Sequence, residues 1–209
     1  MTTATHILGP TLMLQLLMPR FYARVARRLA ADGPVSFHAM SEMRGLGRTD
    51  KVVDSFRPII EDAAVEGRKV RLAGHSLGGI VAWVLAHDYP QTIEVVELWC
   101  APIRGTALAG VHLPVAEARF IAPASRYLKR YDRPVDGDAL VRSIYPALDV
   151  LAVPSLRACW IEGEQVENHL VSPIPLPRRL RRWGEIWHRA VGEHVLLPRH
   201  PLVNRNLAA

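Results

Sequence analysis

The sequence predicts an α/β fold, a mainly parallel sheet with helices on both faces. Apolar strand-like stretches alternate with helix-like stretches along the 209 residues, and this alternation is typical of parallel sheets whose crossover helices cover both faces. A Gly-His-Ser-Leu-Gly stretch at 74–78 stands where an apolar strand passes directly into an apolar helix. In such sheets active sites lie beyond the carboxyl ends of the strands, so chemistry is expected at this serine.

The elements before the serine are predicted from hydrophobic spacing. Alternating residues indicate strands, while apolar residues every three or four positions indicate helices. Asp50 is expected to cap the second helix and Gly67 to end it. The predicted elements are strands at 5–9 and 35–40, a strand in the apolar stretch that starts at Val70 and runs into the Gly-His-Ser-Leu-Gly segment, and helices at 12–30 and 51–66.

The elements after the serine continue the alternation. The helix at 77–88 is apolar nearly all round, which predicts burial against the sheet. The stretch 106–140 is the least regular, and one piece of it, 116–130, fits either a mobile lid over an apolar pocket or a plain surface helix. We therefore predict a single domain over 1–209, with 106–140 as its candidate lid. Further strands are predicted at 93–100, 140–145 and 166–171.

Composition indicates a globular protein with a basic surface. Hydrophobic residues make up 49% of the chain and charged residues 22%, the balance of an ordinary folded domain. The net charge is +6, which we interpret first as a solvated arginine-rich surface and second as a functional basic patch. Nucleic acid is not an expected partner. The basic stretch 178–189 makes nucleic-acid binding only the third hypothesis for the function, because arginines beside tryptophans more commonly pack their side-chain stems against the rings.

Two features predict the compartment. The only cysteines, Cys100 and Cys159, lie in apolar stretches, so free buried thiols and reducing conditions are expected. The apolar N-terminal run has no leading Lys or Arg and is interrupted by Pro10 and Pro19, so it resembles neither a signal peptide nor a membrane span. A cytoplasmic location is the expectation.

Residues 74–78 predict a nucleophile elbow. Gly-x-Ser-x-Gly places a serine on a sharp strand-to-helix turn, where Gly74 and Gly78 leave room for the neighbouring backbone. The turn exposes the Ser76 hydroxyl, and the N–H of Leu77 at the helix start is placed to bind an oxyanion. The alternative interpretation is a glycine-rich turn with no chemistry. The glycines at 45 and 47 lack the third glycine of a dinucleotide-binding loop, so that interpretation is rejected.

A serine nucleophile needs a histidine base and an acid that orients the histidine. After an elbow of this kind the acid precedes the histidine along the chain. His194, in a Gly-Glu-His turn before an apolar run, is the first choice for the base, and His169 within a strand is the second. Asp149, just beyond the strand at 140–145, is the first choice for the acid. The remaining candidates are His188 and His200 for the base and Asp132, Asp136, Asp138, Glu162 and Glu164 for the acid.

Together, these segments resemble the bacterial lipase and esterase branch of the α/β-hydrolase superfamily. Val-Arg-Leu-Ala-Gly-His-Ser-Leu-Gly-Gly at 70–79 is followed by Pro-Ile-Arg-Gly-Thr at 102–106, which is similar to that branch's Pro-x-x-Gly-Thr turn. The stretch 144–154 is similar to its acid turn and 192–201 to its histidine segment. The resemblance implies ester hydrolysis through an acyl-enzyme on Ser76, with no metal or organic cofactor.

Two departures from that branch bear on the site. Its first strand ends in a His-Gly or Pro-Gly-Phe turn that supplies the second oxyanion donor, whereas this chain has Gly9-Pro10-Thr11, and proline has no N–H. Thr11 is the donor expected here, with Leu12 as its alternative. The acid turn, which begins at Asp149, is one residue longer than usual. A missing oxyanion donor would remove about 3 kcal/mol of transition-state stabilisation.

The expected function is hydrolysis of a carboxylic ester, with a small-molecule or lipid ester as substrate and contact with a membrane or lipid surface. One alternative keeps Ser76, Asp149 and His194 and passes the acyl group to an alcohol or thiol, as an acyltransferase does. The other alternative is a catalytically weak or inactive binding protein on the same scaffold, which the short N-terminal strand favours.

Overall fold

The computed structural model describes residues 3–10, 15–40, 49–110, 121–123, 125–146, 158–171 and 196–201, with positions 149, 152 and 203. In this part of the chain six strands form one sheet, and every neighbouring pair is parallel. Their order across the sheet is β2-β1-β3-β4-β5-β6. The mainly parallel sheet is therefore confirmed. The strands are β1 (Ala4–Leu8), β2 (Val35–His38), β3 (Val70–His75), β4 (Ile93–Trp99), β5 (Leu140–Pro146) and β6 (Val166–Val171).

Helices cover both faces of the sheet, as predicted. One buried cluster joins α3 and α4 to β3 and β4, and a second joins α1 and α2 to the opposite face. The helix after the serine is buried over almost its whole length. No helix within the described residues has the length and apolar character that a bilayer span requires. The helices are α1 (Met18–Phe21), α2 (Ala23–Leu29), α3 (Thr49–Val65), α4 (Leu77–Asp88) and α5 (Arg126–Lys129).

Two helix predictions need correction. The helix expected over 12–30 is interrupted at Tyr22 (φ −93°, ψ 11°), which separates α1 from α2. The next helix begins at Thr49, so Asp50 lies inside its first turn rather than at its cap; a carboxylate there still interacts favourably with the helix dipole. Gly67 ends that helix as predicted, in a left-handed conformation with φ +64°.

Part of the candidate lid packs against α4. Leu128 and Tyr131 belong to the core, and Trp83 Nε1 donates a hydrogen bond to the Tyr131 carbonyl oxygen at 3.0 Å. His87 Nε2 lies 2.9 Å from the Arg133 carbonyl oxygen. Residues 111–120 fall outside the described part of the chain. The lid over 106–140 and the single domain stay predictions.

The strand order reverses direction beside the serine. The chain runs from β1 to β2 on one side and later returns to β3 on the other side of β1. Ligand sites of open parallel sheets form at such a reversal, outside the carboxyl ends of the strands. Here that position lies between the end of β1 and the end of β3, and Ser76 directly follows β3.

A buried ion pair joins α2 to the middle of the sheet. One Arg28 nitrogen donates to both carboxylate oxygens of Glu97 at 2.7 Å, and Trp99 Nε1 donates to the same carboxylate at 3.3 Å. The two charged side chains are only 8% and 4% exposed. Such a pair holds α2 at one position on the sheet. Removal of either partner leaves a buried charge without its counter-charge.

We expect Arg28→Leu to lower the free energy of unfolding by about 3 kcal/mol, because the Glu97 carboxylate would stay buried without its cation. The double variant Arg28→Leu with Glu97→Leu should recover most of that loss. Urea unfolding at constant pH measures both. A double variant as unstable as the single one would contradict this account of the pair.

Candidate active site

Ser76 occupies a strained turn between β3 and α4. Its backbone has φ 57° and ψ −120°, a left-handed conformation that side-chain-bearing residues rarely adopt. Such strain costs about 1–3 kcal/mol and persists only where the surrounding structure imposes it. The sequence prediction of a sharp strand-to-helix turn at this serine is therefore confirmed.

Three glycines permit the turn. A Cβ at Gly74 would collide with the backbone of Gly78 and Gly79, and a Cβ at Gly78 would lie 2.6 Å from the Gly9 carbonyl oxygen. A Cβ at Gly79 would collide with the Ala101 side chain. Because the glycine contacts reach β1 on one side and the end of β4 on the other, the turn is wedged between its two neighbouring strands.

Hydrogen bonds hold the serine backbone in place. The Ser76 N–H donates to the Trp99 carbonyl oxygen at 2.9 Å, and the Ser76 carbonyl accepts from Gly79 N–H at 3.0 Å. Cys100, the residue after Trp99, also has a left-handed backbone, with φ 50°. The ends of β3 and β4 are thus two adjacent strained turns that support each other.

The Tyr22 side chain braces the turn from the α1–α2 face. Its hydroxyl lies 2.9 Å from Nδ1 of His75, the residue before the serine. Its ring stacks on Trp99, with centroids 5.9 Å apart and planes at 28°. Burial, and secondarily the nearby Cys100, raises the Tyr22 pKa well above its ordinary value, so the hydroxyl keeps its proton. Tyr22 thus contacts both residues that fix Ser76.

The oxyanion donors are only partly described. Leu77 is the first residue of α4, and N–H groups in the first turn of a helix have no intrahelical acceptor. On the β1 side the Gly9 N–H donates to the His38 carbonyl oxygen at 2.9 Å, so it is already engaged. Thr11 and Leu12 lie outside the described residues. Thr11 as the second donor stays a prediction.

The predicted acid is buried beyond the end of β5. Asp149 is 4% exposed, and its Oδ1 accepts a hydrogen bond from the Ala152 N–H at 3.0 Å. Its charge contributes, after burial, to raising the Cys159 pKa well above the ordinary value. Because β3 and β5 are parallel members of one sheet, Asp149 and Ser76 lie at the same edge. Its role as the acid stays a prediction.

Of the histidine candidates, only His169 and His200 lie within the described residues. His194 and His188 lie outside the described residues, in the stretch that follows β6. His169 lies within β6, where its Nε2 is 3.2 Å from a Glu167 carboxylate oxygen. Three strand spacings separate β6 from β3, roughly 14 Å, so the His169 ring cannot reach the Ser76 hydroxyl.

The described residues offer no metal centre, because no three His, Cys, Asp or Glu side chains among them converge.

An open cleft of about 490 Å³ lies at the far end of α4, roughly 18 Å along the helix from Ser76. Carboxylates neutralise part of its charge, since Arg57 pairs with Asp88 at 2.7 Å. This cleft is separate from the serine. Its lining residues are Arg57, Asp88, Tyr89, Arg130, Tyr131 and Arg133.

The strain at Ser76 predicts an unusual order of stability. Glycine tolerates the observed backbone angles and alanine does not, so we expect Ser76→Gly to be more stable than Ser76→Ala by about 1 kcal/mol. At Ser55, inside α3, the same pair should show the opposite order. Urea unfolding of the four variants tests this. If the glycine variant is less stable than the alanine variant at both positions, the strain at Ser76 is disproved.

The brace at Tyr22 predicts a local effect. Tyr22→Phe keeps the ring and removes the hydroxyl, so it should cost about 1 kcal/mol of unfolding free energy and speed hydrogen exchange of the Ser76 amide. Tyr89→Phe is the control, because it removes a hydroxyl bonded to Glu61 at the other end of α4. Equal Ser76 exchange in Tyr22→Phe and the control would refute the brace.

Solved structures show the fold. The chain is similar to Aspergillus fumigatus lipase B (13% identity, TM-score 0.62), covering 81% of this chain and 44% of that one. It is also similar to the Paleococcus ferrophilus monoacylglycerol lipase (15% identity, TM-score 0.55), covering 94% and 96% of the two chains. A third similar structure is mouse α/β hydrolase domain-containing protein 10 (14% identity, TM-score 0.54), covering 95% and 88%.

These comparisons differ in how much of each protein they cover. The chain spans less than half the length of the Aspergillus lipase but nearly all of the Paleococcus lipase. No protein-family model and no curated protein sequence matches the chain. With its parallel sheet, its covering helices and its strained serine turn, the protein has the α/β-hydrolase fold shared by lipases and esterases.

Proposed function

We propose that this protein is a serine hydrolase that cleaves carboxylic esters through an acyl-enzyme on Ser76. The observation that carries the proposal is the strained backbone of Ser76, φ 57° and ψ −120°, at a strand–helix junction built from close glycine contacts. Backbone strain of this kind clusters at active sites. Ser76 directly follows β3, at the carboxyl edge where ligand sites of parallel sheets form.

The reaction follows from the roles of the three side chains. Ser76 Oγ attacks the acyl carbon while His194 accepts the hydroxyl proton. The Leu77 and Thr11 N–H groups hold the oxyanion. Collapse of this intermediate releases the alcohol, which takes its proton from His194. Water then attacks the acyl-enzyme with His194 as base, and free Ser76 is restored.

Asp149 is assigned to orient His194 and to stabilise its charged form. Its burial and its hydrogen bond from Ala152 fix the carboxylate beyond the end of β5. A fixed carboxylate selects one histidine tautomer, and this selection is worth a large factor in rate. Two of the five other acid candidates, Asp132 and Glu162, instead pair with Arg104, at 2.7 and 3.8 Å.

The substrate we propose is a small-molecule or lipid carboxylic ester, with lipid metabolism as its setting and a lipid surface as a contact. The names of the similar structures, among them lipases and a phospholipase, support an ester or lipid substrate. We also propose a reducing, cytoplasmic compartment, which the buried free thiols of Cys100 and Cys159 favour.

A fluorophosphonate probe tests the proposal, because it labels only an activated serine. We expect the wild type to be labelled, Ser76→Ala to give none, and His194→Ala and Asp149→Asn to slow labelling by roughly 10⁴-fold. His169→Ala is the matched control and should label normally, because its ring cannot reach Ser76. Circular dichroism confirms that each variant is folded.

The other outcomes are equally informative. Normal labelling of His194→Ala together with loss in His169→Ala would overturn the assignment of the base. A folded wild type that resists the probe would overturn the hydrolase proposal and favour a binding protein on this scaffold. If labelling succeeds, a product assay with added alcohols or thiols separates hydrolysis from acyl transfer.

A further inference from the structure

The outward side of α1 and α2 combines exposed leucines with arginines. Leu16 is 75% and Leu17 48% exposed, and both sit in the short turn that leads into α1. Along the same outward side lie the exposed residues Arg20, Arg24 and Arg27. We call these five residues the α1–α2 surface. We propose that it binds the anionic face of a lipid bilayer, with the leucines in the interface and the arginines on lipid phosphates.

The leucines are held outward by a fixed support. The Gln15 side chain donates to the Phe37 carbonyl oxygen at 2.6 Å and accepts from the Ala39 N–H at 2.7 Å. The opposite side of the helices is fully buried in the core at Met18 and Tyr22. Within the described part of the chain, the two adjacent leucines therefore face outwards, and a partner that covers them would remove them from water.

Charge complementarity selects the partner. The first acidic residue of the chain is Asp32, so residues 1–31 contain no carboxylate side chain. In the described part of the chain no ion pair involves Arg20, Arg24 or Arg27, in contrast to the buried Arg28. Arg199 adds a fourth basic group at one end, stacked over the Phe21 ring at 5.3 Å.

Apolar residues beside a basic stripe fit a bilayer interface. An interfacial helix inserts its apolar side chains at the boundary between headgroups and acyl chains, and its cations attract anionic lipids. A nucleic acid would engage the arginines and leave Leu16 and Leu17 in water. The leucines thus favour a lipid surface over a polyanion.

Docking would also orient the active site. Gln15 binds Phe37 and Ala39 around the carboxyl end of β2, and the strands are parallel, so Leu16 and Leu17 lie at the same edge of the sheet as Ser76. The bilayer would then border the edge of the sheet that carries Ser76. The lipid binding itself requires no catalytic activity and stands or falls independently of the proposed hydrolysis.

Sedimentation with vesicles tests the proposal. The wild type should bind vesicles that contain phosphatidylglycerol, bind pure phosphatidylcholine vesicles much more weakly, and lose affinity as salt is raised. Replacement of Arg20, Arg24 and Arg27 by Gln should weaken binding about fivefold for each arginine removed. Leu16→Gln with Leu17→Gln should weaken binding by about tenfold or more, since the apolar insertion is lost.

Val65→Gln is the matched control. Val65 is 89% exposed and ends α3, just before β3 begins, so it lies at the opposite edge of the sheet and its variant should bind as the wild type does. All substituted side chains are exposed, and thermal unfolding verifies each fold. Failure of the wild type to sediment with anionic vesicles would overturn the proposal. Undiminished binding of the leucine double variant would do so as well.

Discussion

The strained backbone of Ser76 is the constraint on which the rest of this structure depends. The turn exists because glycines let β1, α4 and the end of β4 approach closer than any side chain would permit. The Trp99 carbonyl and the Tyr22–His75 contact then hold it from β4 and from the helices of the other face. Both layers around the sheet therefore stabilise one unfavourable residue, and the free energy of that strain is distributed over many favourable contacts.

Two charged side chains inside the sheet, Glu97 and Arg142, form ion pairs, and the pair made by Glu97 fixes the position of α2 on the sheet. Glu97 lies in an otherwise apolar strand and is neutralised by Arg28 from α2. Its neighbour in register on β5 is Arg142, which donates to Glu167 on β6. Hydrophobic burial alone would allow α2 to slide along the sheet, whereas a buried ion pair has one satisfactory position. The brace on Ser76 depends on that position, because Tyr22 precedes α2 directly.

The sequence predicted the strands, the covering helices and the turn at Ser76, because each leaves a local signature of apolar period or glycine spacing. Local signals could not predict the strand order or the Tyr22–His75 contact, which joins residues 53 apart. The Arg28–Glu97 pair joins residues 69 apart. The signal in the sequence that could have predicted a buried partner was an acidic residue within an apolar strand. The interruption at Tyr22 was missed because the apolar spacing continues through it. Asp149 is buried beyond the end of β5, and the roles of Asp149, Thr11 and His194 stay predictions.

The position of β1 has a consequence for folding during synthesis. β1 leaves the ribosome before β2 and β3, yet it lies between them in the sheet, where Ala4 pairs with Val70. A loop of more than sixty residues must close before that pairing forms, and such closure carries an entropic penalty that local contacts cannot offset. The serine turn packs against the Leu8 and Gly9 carbonyls, so this turn cannot form in a nascent chain until β3 and α4 have emerged.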